Sequence, residues 1–99
     1  MTMAEFRASL SGAAPAPDLA APLAALWWVA RGNWDRAHRI AQDEATADGA
    51  WVHAYLHRAE GDPGNAGYWY RQAGQPEAKD SLDAEWERMV LAMLGGGRA

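Results

Sequence analysis

The chain contains no cysteine. That excludes a disulfide frame, a thiolate metal site and a thiol nucleophile, and leaves its compartment unmarked by redox chemistry. β-Branched residues are almost as scarce, being confined to Thr2, Val29, Ile40, Thr46, Val52 and Val90, so a sheet has little to be built from. Positive charge is short as well. Nine Lys and Arg stand against thirteen Asp and Glu for a formal charge of −4. No basic run supplies the phosphate-neutralising stripe that a nucleic-acid partner requires. No long apolar run is present either. Leu19 to Ala30 is uncharged, but its twelve residues fall short of the ~20 needed to span a bilayer. Ser11-Gly12, Pro15 and Pro17-Asp18 precede it in place of a signal peptide's positive n-region. The expectation is a cytoplasmic protein with no membrane partner.

What is abundant is alanine, at 23 of 99 residues, together with six Trp, three Tyr and one Phe. Alanine favours helix but fills little volume, so the aromatics must fill the core, each burying roughly 150–250 Å². The composition predicts one small all-α domain.

Along the chain, residues 1–18 read as a short helix over Ala4–Leu10 followed by an irregular connector, SGAAPAPD. Residues 19–95 read as a single helical-repeat domain, and 96–99 as a disordered tail. Asp18 is expected to cap a helix over Leu19–Arg31, with Pro22 in its first turn. Gly32-Asn33 breaks that helix. A second follows over Trp34–Thr46, with Trp34, Ala37, Ala41 and Ala45 on one face and Arg36, Arg39 and Asp43 on the other. Asp48-Gly49 is expected to end the pair. A third helix over Ala50–Glu60 and a fourth over Asn65–Ala73 flank the turn Gly61-Asp62-Pro63-Gly64. The last helix, over Ser81–Leu94, sets Leu82, Trp86, Met89 and Met93 on an apolar face, with Glu85 and Arg88 expected to face away.

The two hairpins repeat at an offset of 29 residues. Gly32-Asn33-Trp34-Asp35-Arg36-Ala37 aligns with Gly61-Asp62-Pro63-Gly64-Asn65-Ala66, and in both an alanine follows five residues after the glycine, where two helices must approach closely. The pattern resembles the tetratricopeptide repeat, although the spacing is below the ~34 residues usual there. The second unit is similar to Sel1-like repeats through Asn65-Ala66-Gly67-Tyr68-Trp69-Tyr70-Arg71-Gln72-Ala73. The string Trp51-Val52-His53-Ala54-Tyr55-Leu56-His57-Arg58 is similar to a group of small uncharacterised proteins of bacteria and fungi. The resemblance implies two tetratricopeptide-like hairpins plus a C-terminal capping helix, and implies no chemistry.

The third helix carries the most informative residues. At 100° per residue His53, His57 and Glu60 fall within about 60° of one another, opposite Trp51, Val52, Tyr55, Leu56 and Ala59. They form either a solvated or mutually hydrogen-bonded polar face, or a divalent-metal site with His38 or Asp62 as a further donor. The HExxH arrangement of a zinc hydrolase is absent, and Ser9, Ser11 and Ser81 occur without a nucleophile elbow. Asn65, Tyr68 and Arg71 on the fourth helix read either as a polar-aromatic recognition surface or as part of a structural element in which Trp69 and Ala66 pack between the hairpins and the tyrosine hydroxyls tie helix ends together. Arg58, Arg71 and Arg88 are expected to pair with Glu60, Asp62 or Glu77.

Together these features point to a non-catalytic binding or scaffold module for a protein segment or small polar ligand, using His53, His57, Glu60, Asn65, Tyr68 and Arg71. The alternative is a metal-binding protein or metal-dependent enzyme using His53, His57 and Glu60. A homodimer would bury Trp28 or Trp86.

Overall fold

A computed structural model describes residues 1–95, so the expected tail at 96–99 lies outside the described residues. The described chain is all-helical, with α1 at Met3–Ser9, α2 at Ala21–Ala30, α3 at Trp34–Gln42, α4 at Ala47–Ala59, α5 at Pro63–Ala73 and α6 at Leu82–Leu94. No helix is long and apolar enough to cross a membrane among the described residues.

The two hairpins, α2–α3 and α4–α5, are closed by the same turn built twice. Gly32 and Gly61 adopt φ of +81° and +86°, where a side chain would be strained. The next residue, Asn33 or Asp62, then caps the second helix by accepting the amide of Arg36 or Asn65. The Asn33 and Asp62 amides reach back to the carbonyls of Trp28 and His57, both at 2.9 Å. The 29-residue offset is thus a repeat of backbone conformation. The paired alanines behave as their spacing implies, Ala37 and Ala66 both being buried.

Several boundaries differ from those expected. Asp18 caps nothing, because the Leu19 amide closes a turn on the Ala16 carbonyl and the helix starts after an uncapped Ala20, with Pro22 in its first turn. Asp48-Gly49 is not the end of the first hairpin but the first turn of α4. Thr46 accepts the Gly49 amide at 3.0 Å and starts the helix there, so α3 stops at Gln42. Gly49 is required because a Cβ at that position would collide with the backbone of Glu44 as the chain folds back.

The last helix does not stack behind α5. It lies across α2 and α4, the leading helices of the two hairpins, and α1 packs against it beside α2. Phe6 of α1 meets Trp86 of α6 with ring centroids 5.9 Å apart. Indole N–H groups fasten these layers: Trp86 to the Leu26 carbonyl, Trp34 to the Leu56 carbonyl, Trp27 to Ser9 Oγ and Trp51 to Glu85.

Glu85 overturns the expectation that it faces away, for it is 0% exposed. It lies four residues before Met89, hence only about 40° from it around the helix, on the edge of the apolar face. Its carboxylate accepts hydrogen bonds from Trp51 Nε1 at 3.2 Å, Arg58 Nη1 at 2.8 Å and the Tyr70 hydroxyl at 2.7 Å. Arg58 therefore pairs with Glu85, not with Glu60, Asp62 or Glu77, and its second amino group donates to the Asp80 carbonyl. Arg88 pairs with Asp80 rather than with any of those three. Burial, and then the Glu85 charge, push the Tyr55 hydroxyl up to about 12, and the Tyr70 hydroxyl is raised by burial and its bond to Glu85.

Removing one partner of a buried ion pair leaves the other charge and its hydrogen-bond donors uncompensated. Glu85→Ala is expected to lower unfolding stability by about 3 kcal/mol in urea titrations. Glu87→Ala removes the Arg7–Glu87 pair, whose side chains are 51% and 50% exposed, and is expected to cost under about 1 kcal/mol. Equal losses in the two variants would show that Glu85 does not hold the helices together.

Candidate functional site

The seam between α3 and α4 gathers all three histidines of the chain. His38 comes from α3, four residues after Trp34, so both side chains stand on one face. His53 and His57 come from α4, again four residues apart. The three offer ligand nitrogens that all lie within 4.8 Å of one another. His38 Nε2 and His53 Nε2 are 3.0 Å apart, a hydrogen bond in which one ring donates and the other accepts. The His53 and His57 rings stack at 4.9 Å, while His38 meets both edge-on at 4.7 and 5.3 Å.

Two indoles close the cluster. Trp34 lies parallel to His38 at 4.8 Å and Trp69 parallel to His53 at 4.0 Å. The Trp34 indole is itself pinned by its bond to the Leu56 carbonyl at 2.8 Å. Glu60, one turn beyond His57, bonds the Nδ1 of that ring through Oε2 at 2.7 Å. Asp62 also lies within reach of His57 and Glu60, but its carboxylate is engaged by the Asn65 backbone and side-chain amides at 3.2 and 2.8 Å. Those bonds hold the Asp62 carboxyl below its ordinary range.

The expected outward stripe of His53, His57 and Glu60 is therefore only partly an outward stripe. His53 is 5% and His57 9% exposed, and they point into the seam toward His38 while Glu60 stays at the rim. The physical reason is that α4 is enclosed on both flanks, by α6 on one and α3 on the other, so its polar stripe has no solvent to face. Within the metal set read from sequence, Glu60 does not converge with the imidazole cluster; it holds one ring from behind, and His38 takes the third place. Asn65 turns toward Asp62, whereas Tyr68 on α5 is 46% exposed and stands edge-on to Trp69 at 5.1 Å. Arg71 is exposed on the same helix. Trp69 also borders a cleft of about 310 Å³ with Glu44, Thr46, Ala50 and Gln72.

Two features of this seam escape sequence reasoning. The stacking indoles are separated from their imidazoles by up to sixteen residues, and only the i, i+4 spacing of Trp34 and His38 signals one of them. The second is electrostatic. Burial first, and then the neighbouring His38 and His57, depress the His53 imidazole to about 4. The His38 imidazole is also lowered, by burial and by His57, against the opposing pull of Glu60 and Asp35. His53 Nδ1 is buried and has no hydrogen-bond partner.

No family model, curated protein or solved structure matches this chain.

The depressed His53 makes folding sensitive to acid in a defined window. Above its ordinary value of 6.5 the ring is neutral both folded and unfolded, and its contribution is fully present. Below that, the unfolded ring takes a proton that the folded ring refuses until about 4, so stability falls across this interval. Thermal unfolding from pH 7.5 to 4 is expected to show a steeper decline for the native chain than for His53→Phe. Parallel profiles would mean that the folded ring takes its proton as readily as the unfolded one.

Proposed function

We propose that this protein is a non-catalytic binding module, with its two hairpins arranged in the tetratricopeptide-like manner and its ligand seat at the imidazole cluster between α3 and α4. One observation carries the reading. A buried imidazole, His53, keeps a ring nitrogen without a partner in the middle of two others. An unsatisfied buried polar atom costs about 1–3 kcal/mol. Among the described residues it is the buried side-chain nitrogen or oxygen left without a partner, and such an atom is the kind of place where a ligand can be taken.

The serines support the non-catalytic half of the reading, since each hydroxyl is committed to structure. Ser9 Oγ donates to the Phe6 carbonyl and accepts from Trp27, Ser11 Oγ donates to the Ala8 carbonyl, and Ser81 Oγ caps α6 by accepting the Ala84 amide.

A second reading, recognition of a protein segment on α5, is favoured by exposed Tyr68 braced against Trp69. It keeps Tyr68 and Arg71 from the surface expected from sequence and gives up the two buried histidines. A co-purifying polypeptide lost on Tyr68→Ala would be its signature.

The ligand seat has a test that needs no knowledge of the ligand. His53→Phe keeps a ring against Trp69 and removes both buried nitrogens. The ligand-free variant is expected to melt about 4–8 °C above the native chain at pH 7.5, which corresponds to about 1 kcal/mol in a domain of this size. A comparable fall in melting temperature would make the cluster an ordinary element of core structure.

A further inference from the structure

We propose that the seat takes a single borderline transition-metal ion of the Zn²⁺ class, ligated by His38, His53 and His57, with Glu60 as the carboxylate that positions His57. This rests on the reading of the cluster as a ligand seat and names the ligand; His53 would ligate through Nε2, the nitrogen it shares with His38, so its unpartnered Nδ1 marks the seat without itself ligating.

The geometry is close to what such an ion demands. A four-coordinate ion with metal–nitrogen bonds of about 2.0–2.1 Å holds its nitrogens about 3.3–3.4 Å apart. The His38 and His53 Nε2 atoms already lie 3.0 Å apart, and no ligand nitrogen of the three is more than 4.8 Å from another. Completing the set requires opening that pair by a few tenths of an ångström and drawing the third ring inward. The donors come from two helices, with His53 and His57 fixed one turn apart on α4 and His38 brought in by α3.

The surroundings match as well. Glu60 accepts from His57 Nδ1 at 2.7 Å, which places the hydrogen on that nitrogen and leaves the Nε2 lone pair for a metal. A carboxylate behind a ligating imidazole sets both tautomer and ring orientation. Trp34 and Trp69 restrict the rotation of His38 and His53 by stacking on them. The competing group, His57 with Glu60 and Asp62, is already consumed by hydrogen bonds: Glu60 to His57, and Asp62 to Asn65.

Donor chemistry selects the ion. Three nitrogens with no oxygen among them do not suit Ca²⁺ or Mg²⁺, which take oxygen ligands. Imidazole-only sets suit Zn²⁺, Co²⁺, Ni²⁺ and Cu²⁺.

The test uses the full chain without an affinity tag, stripped with chelator, dialysed and titrated with Co²⁺ and then Zn²⁺. The expected result is one ion per chain, with the visible absorption of four-coordinate Co²⁺, quenching of tryptophan emission, and displacement by Zn²⁺. His38→Gln alters a half-buried side chain and is expected to keep the helical circular dichroism while losing the Co²⁺ spectrum. Glu60→Gln is expected to weaken binding by about 10–100-fold while retaining the spectrum's shape. Failure of the native chain to take up either ion, or binding by His38→Gln as tight as that of the native chain, overturns the proposal. If no ion binds but His53→Phe is stabilised, the metal assignment alone fails and the seat serves another ligand. If no ion binds and His53→Phe is destabilised, both readings fail.

Discussion

A carboxylate with no exposure to solvent, that of Glu85, holds three helices in one arrangement. It accepts from Trp51 and Arg58 on α4 and from Tyr70 on α5, and so ties α6 to the second hairpin. Burying an ion costs several kcal/mol even after relaxation, and only good geometry with every lone pair engaged offsets it. Here an Arg guanidinium, a phenol and an indole all converge, and the arrangement tolerates one rotation of α4. Residues two apart on a helix differ by about 200° in direction. Trp51 to His53 is such a step, so turning the first toward α6 turns the second toward α3. The imidazole cluster thus inherits its orientation from an ion pair on the opposite side of the same helix.

The alanine content explains why indoles do the fastening. Helices lined by Ala37, Ala41, Ala54 and Ala66 approach closely but leave shallow surfaces, and wide flat rings bridge between them. Each of four indoles then finds an acceptor on a different element, so burial of a large apolar area and a directional bond come from the same side chain. In a chain this small, such bonds specify which helix neighbours which, something apolar contact alone does weakly. The leading helices α2 and α4 present their shared face to α6, and Trp86 secures that contact through the Leu26 carbonyl.

The hairpin turns were legible because glycine followed by Asn or Asp is a local instruction: a left-handed residue, then a cap, independent of what packs outside. The start of α4 was less so. Asp48-Gly49 carries the same letters as a turn, and only the capping of Gly49 by Thr46 and the contact with Glu44 make it helical. The same limit governed the polar residues. Periodicity placed His53, His57 and Glu60 on one stripe, as found, but it cannot say whether that stripe meets water or another helix. Glu85 was assigned outward by its charge although its angle set it beside Met89, and the three partners that justify its burial lie 15 to 34 residues away in sequence. Tertiary satisfaction of a buried polar group is invisible to a pattern read one helix at a time.

The two polar centres that meet α4, one at Glu85 of α6 and one at His53, are satisfied to different degrees. Around Glu85 the fold engages both carboxylate oxygens with donors from two helices, one of them a charged guanidinium. Around His53, less than a helical turn from Trp51, a ring of similar burial keeps one nitrogen idle and shares the other with a second imidazole, and burial and then that imidazole discourage its protonation. Two phenylalanines would fill that volume, stack on the same indoles and carry no desolvation cost. A sequence that satisfies a buried charge on one side of a helix has the means to satisfy, or to omit, a neutral ring on the other. The idle nitrogen and its two convergent neighbours are therefore a property that the fold tolerates at the expense of stability, and the proposed ligand seat rests on that contrast.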